Sequence, residues 1–139
     1  MIRSLHGHIL VTYNNFKTPQ HIMIAYDSSE ESNKHIEMIA NSPLYKGLNC
    51  HLVYVNKKNT ADGLIENTIE KLKSAQWAKI VSASLQGKTE DELCDYQVKN
   101  NIDLTIMGAF THTRLHDLIL GSFTVRMLLN TKTPLLLLR

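Results

Sequence analysis

The chain has 139 residues, of which 43% are hydrophobic and 20% charged, values typical of one globular domain with a buried core. The net charge is +2 and the lysines and arginines are scattered, which argues against nucleic acid or an anionic membrane as the main partner. No apolar run is long enough to span a bilayer, and the first residues lack a signal-peptide core. Cys50 and Cys94 lack CxxC spacing, which predicts buried free thiols rather than a disulfide or a metal site. The sequence therefore indicates a cytoplasmic α/β domain.

Residues 1–20 are predicted to form an extension that precedes the main domain, residues 21–139. Within the extension, residues 8–12 form a run of strand length, and the polar residues after it are typical of a linker. Residues 3–11 pass from helix-like residues through a breaker into an apolar strand, as residues 126–137 do. This likeness fits a chain that begins with the closing strand of a preceding domain in a tandem protein.

The main domain alternates short apolar runs with helical patterns. The runs predicted to form strands are residues 21–26, 50–55, 80–85, 102–107 and 135–138. Because parallel strands need crossover connections, the helical patterns between these runs predict a parallel sheet covered by helices.

Four helical patterns connect the predicted strands. Three of them begin at residues with capping chemistry, which are Ser28, Asp62 and Thr89. The second helix is predicted to continue to about Lys79 and the third to about Asn100. The fourth is predicted to place its apolar residues on one face, namely Val125, Leu128 and Leu129.

One strand, loop, helix and strand unit has the features of an anion site. The strand at residues 102–107 ends on Gly108, whose missing Cβ permits either close approach to a phosphate or simply a tight turn. Gly121 and Ser122 open the next helix, whose free N–H groups and dipole favour an anion. The Ser122 and Thr124 hydroxyls could hydrogen-bond a phosphate, although Ser122 could equally be an ordinary N-cap. Parallel sheets bind ligands at the carboxyl ends of their strands, where this unit is expected to lie.

Three stretches in this order resemble the universal stress protein family. They are residues 24–29 (IAYDSS), residues 106–115 (IMGAFTHTRL) and the stretch from LGS at residues 120–122 through the last strand. The resemblance covers residues 21–139. It implies a Rossmann-like, three-layer α/β sandwich of the adenine nucleotide alpha hydrolase type, with a five-stranded parallel sheet in the order 3-2-1-4-5. It also implies a homodimer formed through the C-terminal strand.

Many members of this family bind ATP through a glycine, two residues, a second glycine, nine residues and then Gly-Ser or Gly-Thr. Gly108, Thr111, Gly121 and Ser122 keep this spacing, but Thr111 replaces the second glycine. If the loop needs a positive φ there, a β-branched residue costs roughly 1–2 kcal/mol and weakens binding about tenfold. If φ is ordinary, the Thr111 hydroxyl instead adds a donor.

The resemblance also assigns two positions to the nucleoside. Asp27, at the end of the first strand of the main domain, would reach the ribose or base, or alternatively cap the next helix. Val55, closing the next strand, would offer backbone contacts to an adenine, or be a plain strand residue. The family often reads Asp-Gly-Ser where this chain has Asp27, Ser28 and Ser29.

The loop after Gly108 contains further polar residues. His112, His116 and Asp117 could be metal ligands, but no HExxH-type glutamate accompanies them, and the family uses this loop for phosphates. Arg114 could neutralise a phosphate or be an ordinary surface arginine. No catalytic triad and no Walker lysine are visible, so no catalytic residue is predicted.

The sequence thus predicts a regulatory module of the stress response that binds ATP, with or without Mg²⁺, rather than turning it over. The predicted nucleotide-binding residues are Asp27, Val55, Gly108, Thr111, Gly121, Ser122 and Thr124. The alternative is a dimeric scaffold of the same family that no longer binds nucleotide. Under both hypotheses the apolar strand at residues 135–138 predicts a homodimer, and the strand at residues 8–12 is a candidate to cover that edge, in its own chain or in a neighbour.

Overall fold

The computed structural model describes residues 8–12, 17–27, 29–55, 63–108, 110–112, 118–120, 122–131 and 133–138. For residues 110–112 and 118–120 it describes the backbone alone. Within these ranges, no helix is both long enough and apolar enough to cross a membrane.

Six strands form one sheet. They are β1 (Ile9–Val11), β2 (His21–Ala25), β3 (Asn49–Val55), β4 (Lys79–Leu85), β5 (Leu104–Gly108) and, as the last strand of the chain, β8 (Leu135–Leu138). Their order across the sheet is β1-β8-β5-β2-β3-β4. All neighbours from β8 to β4 pair in parallel. Counted from β2, this is the predicted order 3-2-1-4-5, and the α/β fold class is confirmed.

The sixth strand, β1, is an addition to the five predicted for the parallel sheet. It pairs antiparallel with β8, with Ile9 opposite Leu137 and Val11 opposite Leu135. Ile9 and Val11 are half-buried and pack on the same core as these leucines, whereas Leu10 is 49% exposed. The run at residues 8–12 therefore covers the outer edge of β8 within its own chain.

Helices cover both faces of the sheet. The helices are α1 (Glu30–Ala40), α2 (Leu64–Leu72), α3 (Thr89–Lys99) and α4 (Ser122–Asn130). Because side chains alternate along a strand, Ile24 of β2 packs with the residues of α1 and α2, whereas Met23 packs with Leu93 of α3 and Met127 of α4. The result is the three-layer sandwich that the resemblance implied.

Two helix starts differ from the predicted ones. The N-cap of α1 is Ser29, whose side chain accepts a hydrogen bond from the Ser32 backbone at 3.1 Å, and Ser28 lies outside the described residues. Thr89 is the first helical residue of α3, after Lys88, which makes no side-chain cap. Capping-box spacing indicates that a helix begins nearby but does not identify the N-cap residue, so each predicted N-cap is one residue away from the observed one.

The second helix ends earlier than predicted. The α-helix stops at Leu72, a 3₁₀ turn follows over Lys73–Ala75, and β4 already begins at Lys79. Gln76 takes a left-handed conformation with φ of 61°, which ends the turn. Trp77 then stacks on Tyr45 with 5.0 Å between ring centroids. The predicted cap Asp62 lies outside the described residues, and Gly63 occupies the N-cap position.

The buried face of α4 also differs from the prediction. Val125 is 41% and Leu129 79% exposed, whereas Thr124 and Met127 are buried. The Thr124 hydroxyl donates to the Gly108 carbonyl at 3.3 Å, and this bond fixes the rotation of α4 about its axis. Thr124 and Met127, three residues apart, therefore share the face that contacts the sheet.

The segment after Gly108, expected to be a polar loop, contains two short strands. They are β6 (Phe110–His112) and β7 (Leu118–Leu120), which pair antiparallel as a separate two-stranded sheet. The β-branched and aromatic residues in both strands favour this conformation.

A buried polar network joins α3, β5 and the turn after α4. Gln97 donates from Nε2 to the Thr105 hydroxyl at 2.8 Å, and its Oε1 accepts from the Thr131 hydroxyl at 3.1 Å. All three side chains are buried, so each hydrogen bond replaces one that water would otherwise provide.

Cys50 and Cys94 are both free thiols. Cys50 is buried in β3, which raises its pKa to about 12, so that the thiol stays protonated and unreactive. Cys94 is half-buried in α3, which is less burial than the sequence predicted.

Candidate functional site

The carboxyl ends of β2, β5 and β8 meet beside the first turns of α1. Gly108, the last residue of β5, pairs with Leu138 of β8. A small cavity lies between these ends and the helix, and its lining includes Tyr26, Ser32, His35 and Gly108. The cavity volume is about 10 Å³, close to the minimum for one water molecule.

Gly108 and the first turn of α4 are in direct contact. The 3.3 Å hydrogen bond from the Thr124 hydroxyl to the Gly108 carbonyl spans 16 positions of the chain. Ser122, the first residue of α4, is exposed. The N–H groups of that turn have no partner one turn earlier in the helix, so this end of α4 favours an anion. Two of the predicted phosphate-binding segments are therefore adjacent.

Asp27 lies just after β2 on the same edge. Its Oδ1 accepts hydrogen bonds from the Ser29 backbone at 2.9 Å and from the Ser32 hydroxyl at 2.5 Å. Partial burial would raise the pKa of Asp27, but these bonds stabilise the charged form and lower the pKa below its usual value. Asp27 is therefore an ionised acceptor at neutral pH, and Ser29 rather than Asp27 caps α1.

The other predicted ligand residues lie in β3, in β6 or outside the described residues. Val55 is the last residue of β3, half-buried and opposite Leu85 of β4, so it lies on the same carboxyl edge as Asp27. Thr111 is the middle residue of β6, where its backbone pairs with Ile119. The remaining members of the predicted loop lie outside the described residues, and these are Gly121, Arg114, His116 and Asp117.

His35 is the residue at this edge that the sequence reading missed. It lies on α1, and a Cβ added to Gly108 would be 3.0 Å from its Cε1 and 3.5 Å from its Nδ1. The sequence feature that could have indicated this position is the apolar stripe of Ile36 and Ile39, which packs α1 on the sheet. His35 is next to that stripe. No role was predicted for His35 from the sequence, although its ring lies over Gly108.

A second missed group anchors α1 and α2 to the same edge. Tyr26 is buried, and its hydroxyl donates to Asn33 Oδ1 at 2.6 Å. The buried Thr68 hydroxyl of α2 lies 3.4 Å from the Tyr26 oxygen. These bonds hold the first turns of α1 against β2, and thereby hold Asp27 and His35 in place.

A histidine pair lies at the opposite, amino edge of the sheet. The rings of His21 and His51 are 5.7 Å apart, and His51 Nδ1 lies 2.8 Å from the Tyr96 hydroxyl. Burial, followed by electrostatic interactions with His21 and Lys79, lowers the pKa of His51. No group of three metal-ligating side chains occurs in the part of the chain that the structure describes.

The comparison with known proteins gives the family. A profile of the universal stress protein family matches residues 58–139, more than half of the chain. The chain belongs to the universal stress protein family. The resemblance read from the sequence is confirmed, although the matched residues begin within the connection between β3 and α2.

Other members of the family agree in sequence or fold. A universal stress protein of Synechocystis sp. is 36% identical over 141 residues, an alignment that covers all of this chain and 49% of that protein. The chain thus spans about half the length of this curated relative. A universal stress protein solved in complex with cAMP aligns with a TM-score of 0.69 at 16% identity, over 88% of this chain and 98% of that chain. An Arabidopsis thaliana family member with AMP bound aligns with a TM-score of 0.64 at 13% identity, over 86% and 91% of the two chains.

Proposed function

We propose that this universal stress protein domain is a regulatory module that binds an adenine nucleotide at the carboxyl edge of its sheet. The single observation that supports this most directly is the hydrogen bond from Thr124 to the Gly108 carbonyl. It joins the strand-end glycine to the helix N-terminus, the two parts of the predicted phosphate site. Family members of the same fold that were solved with cAMP and with AMP support an adenine nucleotide as the ligand class.

The charges along this edge suggest how the ligand would lie. The first turn of α4 offers N–H donors and the Ser122 hydroxyl, which suit a phosphate. Asp27 is an ionised acceptor, which suits the ribose hydroxyl groups and repels a phosphate. We therefore assign the ribose to this carboxylate. The phosphates would then lie toward α4 and the nucleoside toward β2 and β3, where Val55 could contact the adenine.

ATP, with or without Mg²⁺, is the ligand that we expect within this class, and binding rather than turnover is the expected role. Thr111 and Gly121 complete the proposed phosphate site by their spacing in the sequence. An ionised Asp27 engaged by two serines is an acceptor for the ligand rather than an activated base, so any hydrolysis would be slow and incidental.

Isothermal titration with AMP and with ATP tests the proposal. We expect saturable binding by the natural protein, and a loss of about tenfold or more in affinity for Ser122→Ala, since a hydrogen bond to a charged acceptor contributes about 1.5–3 kcal/mol. Ser42→Ala is the matched control, because Ser42 begins the 3₁₀ turn Pro43–Tyr45, which leads into the amino end of β3. No saturation by either nucleotide at millimolar concentration would reject the proposal.

The second candidate function is a scaffold of the same family that binds no nucleotide. It is favoured by the His35 ring, which occupies the side of Gly108 on which a Cβ would lie. Adenine nucleotide found by mass spectrometry in the purified protein would reject this candidate.

We also propose a homodimer and a cytoplasmic location for the protein. Strand β8 already has β5 on one side and β1 on the other, so a second copy could pair with β8 only by replacing β1. Alternatively, it could pair with the outer edge of β1. The two free thiols are consistent with a reducing compartment.

A further inference from the structure

The imidazole of His35 lies against the glycine on which the proposed nucleotide site depends. A Cβ built on Gly108 would be 3.0 Å from His35 Cε1, a separation tighter than ordinary van der Waals contact. Gly108 and His35 both line the cavity at the strand ends. The space that a side chain of Gly108 would take is therefore not open, because the His35 ring of α1 occupies it.

This contact conflicts with a ligand that uses the same glycine. A glycine at a strand end permits close approach of a phosphate only if nothing else covers its Cα. With His35 in its present rotamer, the imidazole occupies the side of Gly108 on which a Cβ would lie. The nucleotide proposed above and the imidazole cannot both occupy that side of Gly108.

We propose that His35 acts as a gate on the nucleotide site: a ligand reaches Gly108 only after the imidazole rotates away, so the side chain at position 35 sets the affinity. This inference rests on the proposed nucleotide function. His35 is half-buried, and rotation of its ring would exchange the contacts that the ring now makes for contacts with solvent. Rotation about two side-chain bonds needs no movement of α1, whose first turn is held by the Tyr26 and Asn33 hydrogen bond.

The size of the effect follows from the fraction of time that the gate is open. If the binding-competent rotamer is populated about one tenth of the time, the apparent dissociation constant is raised about tenfold. Removing the ring should recover that factor. His35→Ala is therefore expected to bind AMP about tenfold more tightly than the natural protein.

Isothermal titration with AMP on the natural protein and on His35→Ala tests the gate. Lys34→Ala is the matched control, because Lys34 is the exposed neighbour on the same helix and should leave the affinity unchanged. Binding by the natural protein that is equal or tighter than binding by His35→Ala would overturn the gate and leave the nucleotide function standing. Saturable binding by both proteins, about tenfold tighter for His35→Ala, would support the gate. No binding by either protein would reject the nucleotide function and the gate with it.

A second measurement tests the contact without any ligand. Gly108→Ala should lower the melting temperature in the natural background, where the new Cβ meets the imidazole at 3.0 Å. In the His35→Ala background the same substitution should cost clearly less, because the ring is gone. Equal losses in the two backgrounds would show that His35 does not lie on Gly108 in solution, and would overturn the gate.

Discussion

Strand β1 is expected to stabilise the domain and to keep the edge of β8 from pairing with a second copy. Deleting residues 1–12 removes the half-buried Ile9 and Val11 and exposes Leu135 and Leu137, which are fully buried. Half-burial of two such side chains contributes about 1 kcal/mol each, and the strand hydrogen bonds add about 0.5–1.5 kcal/mol each. The entropy of ordering three residues offsets part of this gain, leaving about 2 kcal/mol.

The melting temperature and the molecular mass together measure this effect. With about 2.1 cal/mol/K of unfolding entropy per residue, a loss of about 2 kcal/mol lowers the melting temperature of a 139-residue domain by about 7 °C. Light scattering should show the shortened chain associating further than the natural protein does, because an exposed apolar edge pairs. Leu10→Ala, which trims an exposed side chain of the same strand, should change neither quantity. A deletion that leaves both melting temperature and mass unchanged would refute the reasoning.

Two further predictions concern stability. Thr105→Val leaves the buried Gln97 amide without its acceptor and should lower the free energy of unfolding by about 1–3 kcal/mol in urea denaturation, whereas the exposed Thr18→Val should stay within about 0.5 kcal/mol. Equal effects would contradict a role for the network. Burial, and then nearby charge, lowers the pKa of His51 in the folded protein. Below about pH 6.5 the unfolded chain therefore binds a proton at His51 more readily than the folded chain does, and the free energy of unfolding falls. His51→Gln should flatten the stability curve between about pH 7 and 5, and an unchanged slope would exclude His51 as the cause.

The strands were readable from the sequence because a buried parallel strand is a continuous apolar run. Residues 135–138 were predicted as they are found in β8. The apolar run at residues 102–107 correctly predicted a strand, but β5 begins only at Leu104. The residue before it, Asp103, accepts hydrogen bonds from the backbone N–H groups of Gln20 and His21 at 2.9 Å. Such a long-range side-chain bond leaves no periodic pattern.

The candidate site was only partly readable. Motif spacing pointed to Gly108 and Ser122, and chain topology brings both to one edge because parallel strands end together. The motif spacing does not determine the rotation of α4 about its axis, which depends on the hydrogen bond from Thr124 to the Gly108 carbonyl, and so Leu129 was assigned to the wrong face. The spacing also could not reveal His35, because a contact between a helix side chain and a distant glycine depends on tertiary packing rather than on the local sequence.

Helix α4 is fastened near both of its ends. Thr124 holds its first turn to the last residue of β5, and Thr131, just beyond its last turn, is tied through Gln97 to α3. These two hydrogen bonds, near the two ends of a helix about 13 Å long, oppose a sliding movement of α4 along its neighbours. A displacement of α4 at Ser122 would therefore strain the hydrogen bond between Thr131 and Gln97 at the other end of the helix. Hydrogen–deuterium exchange of the α3 amides would detect that strain.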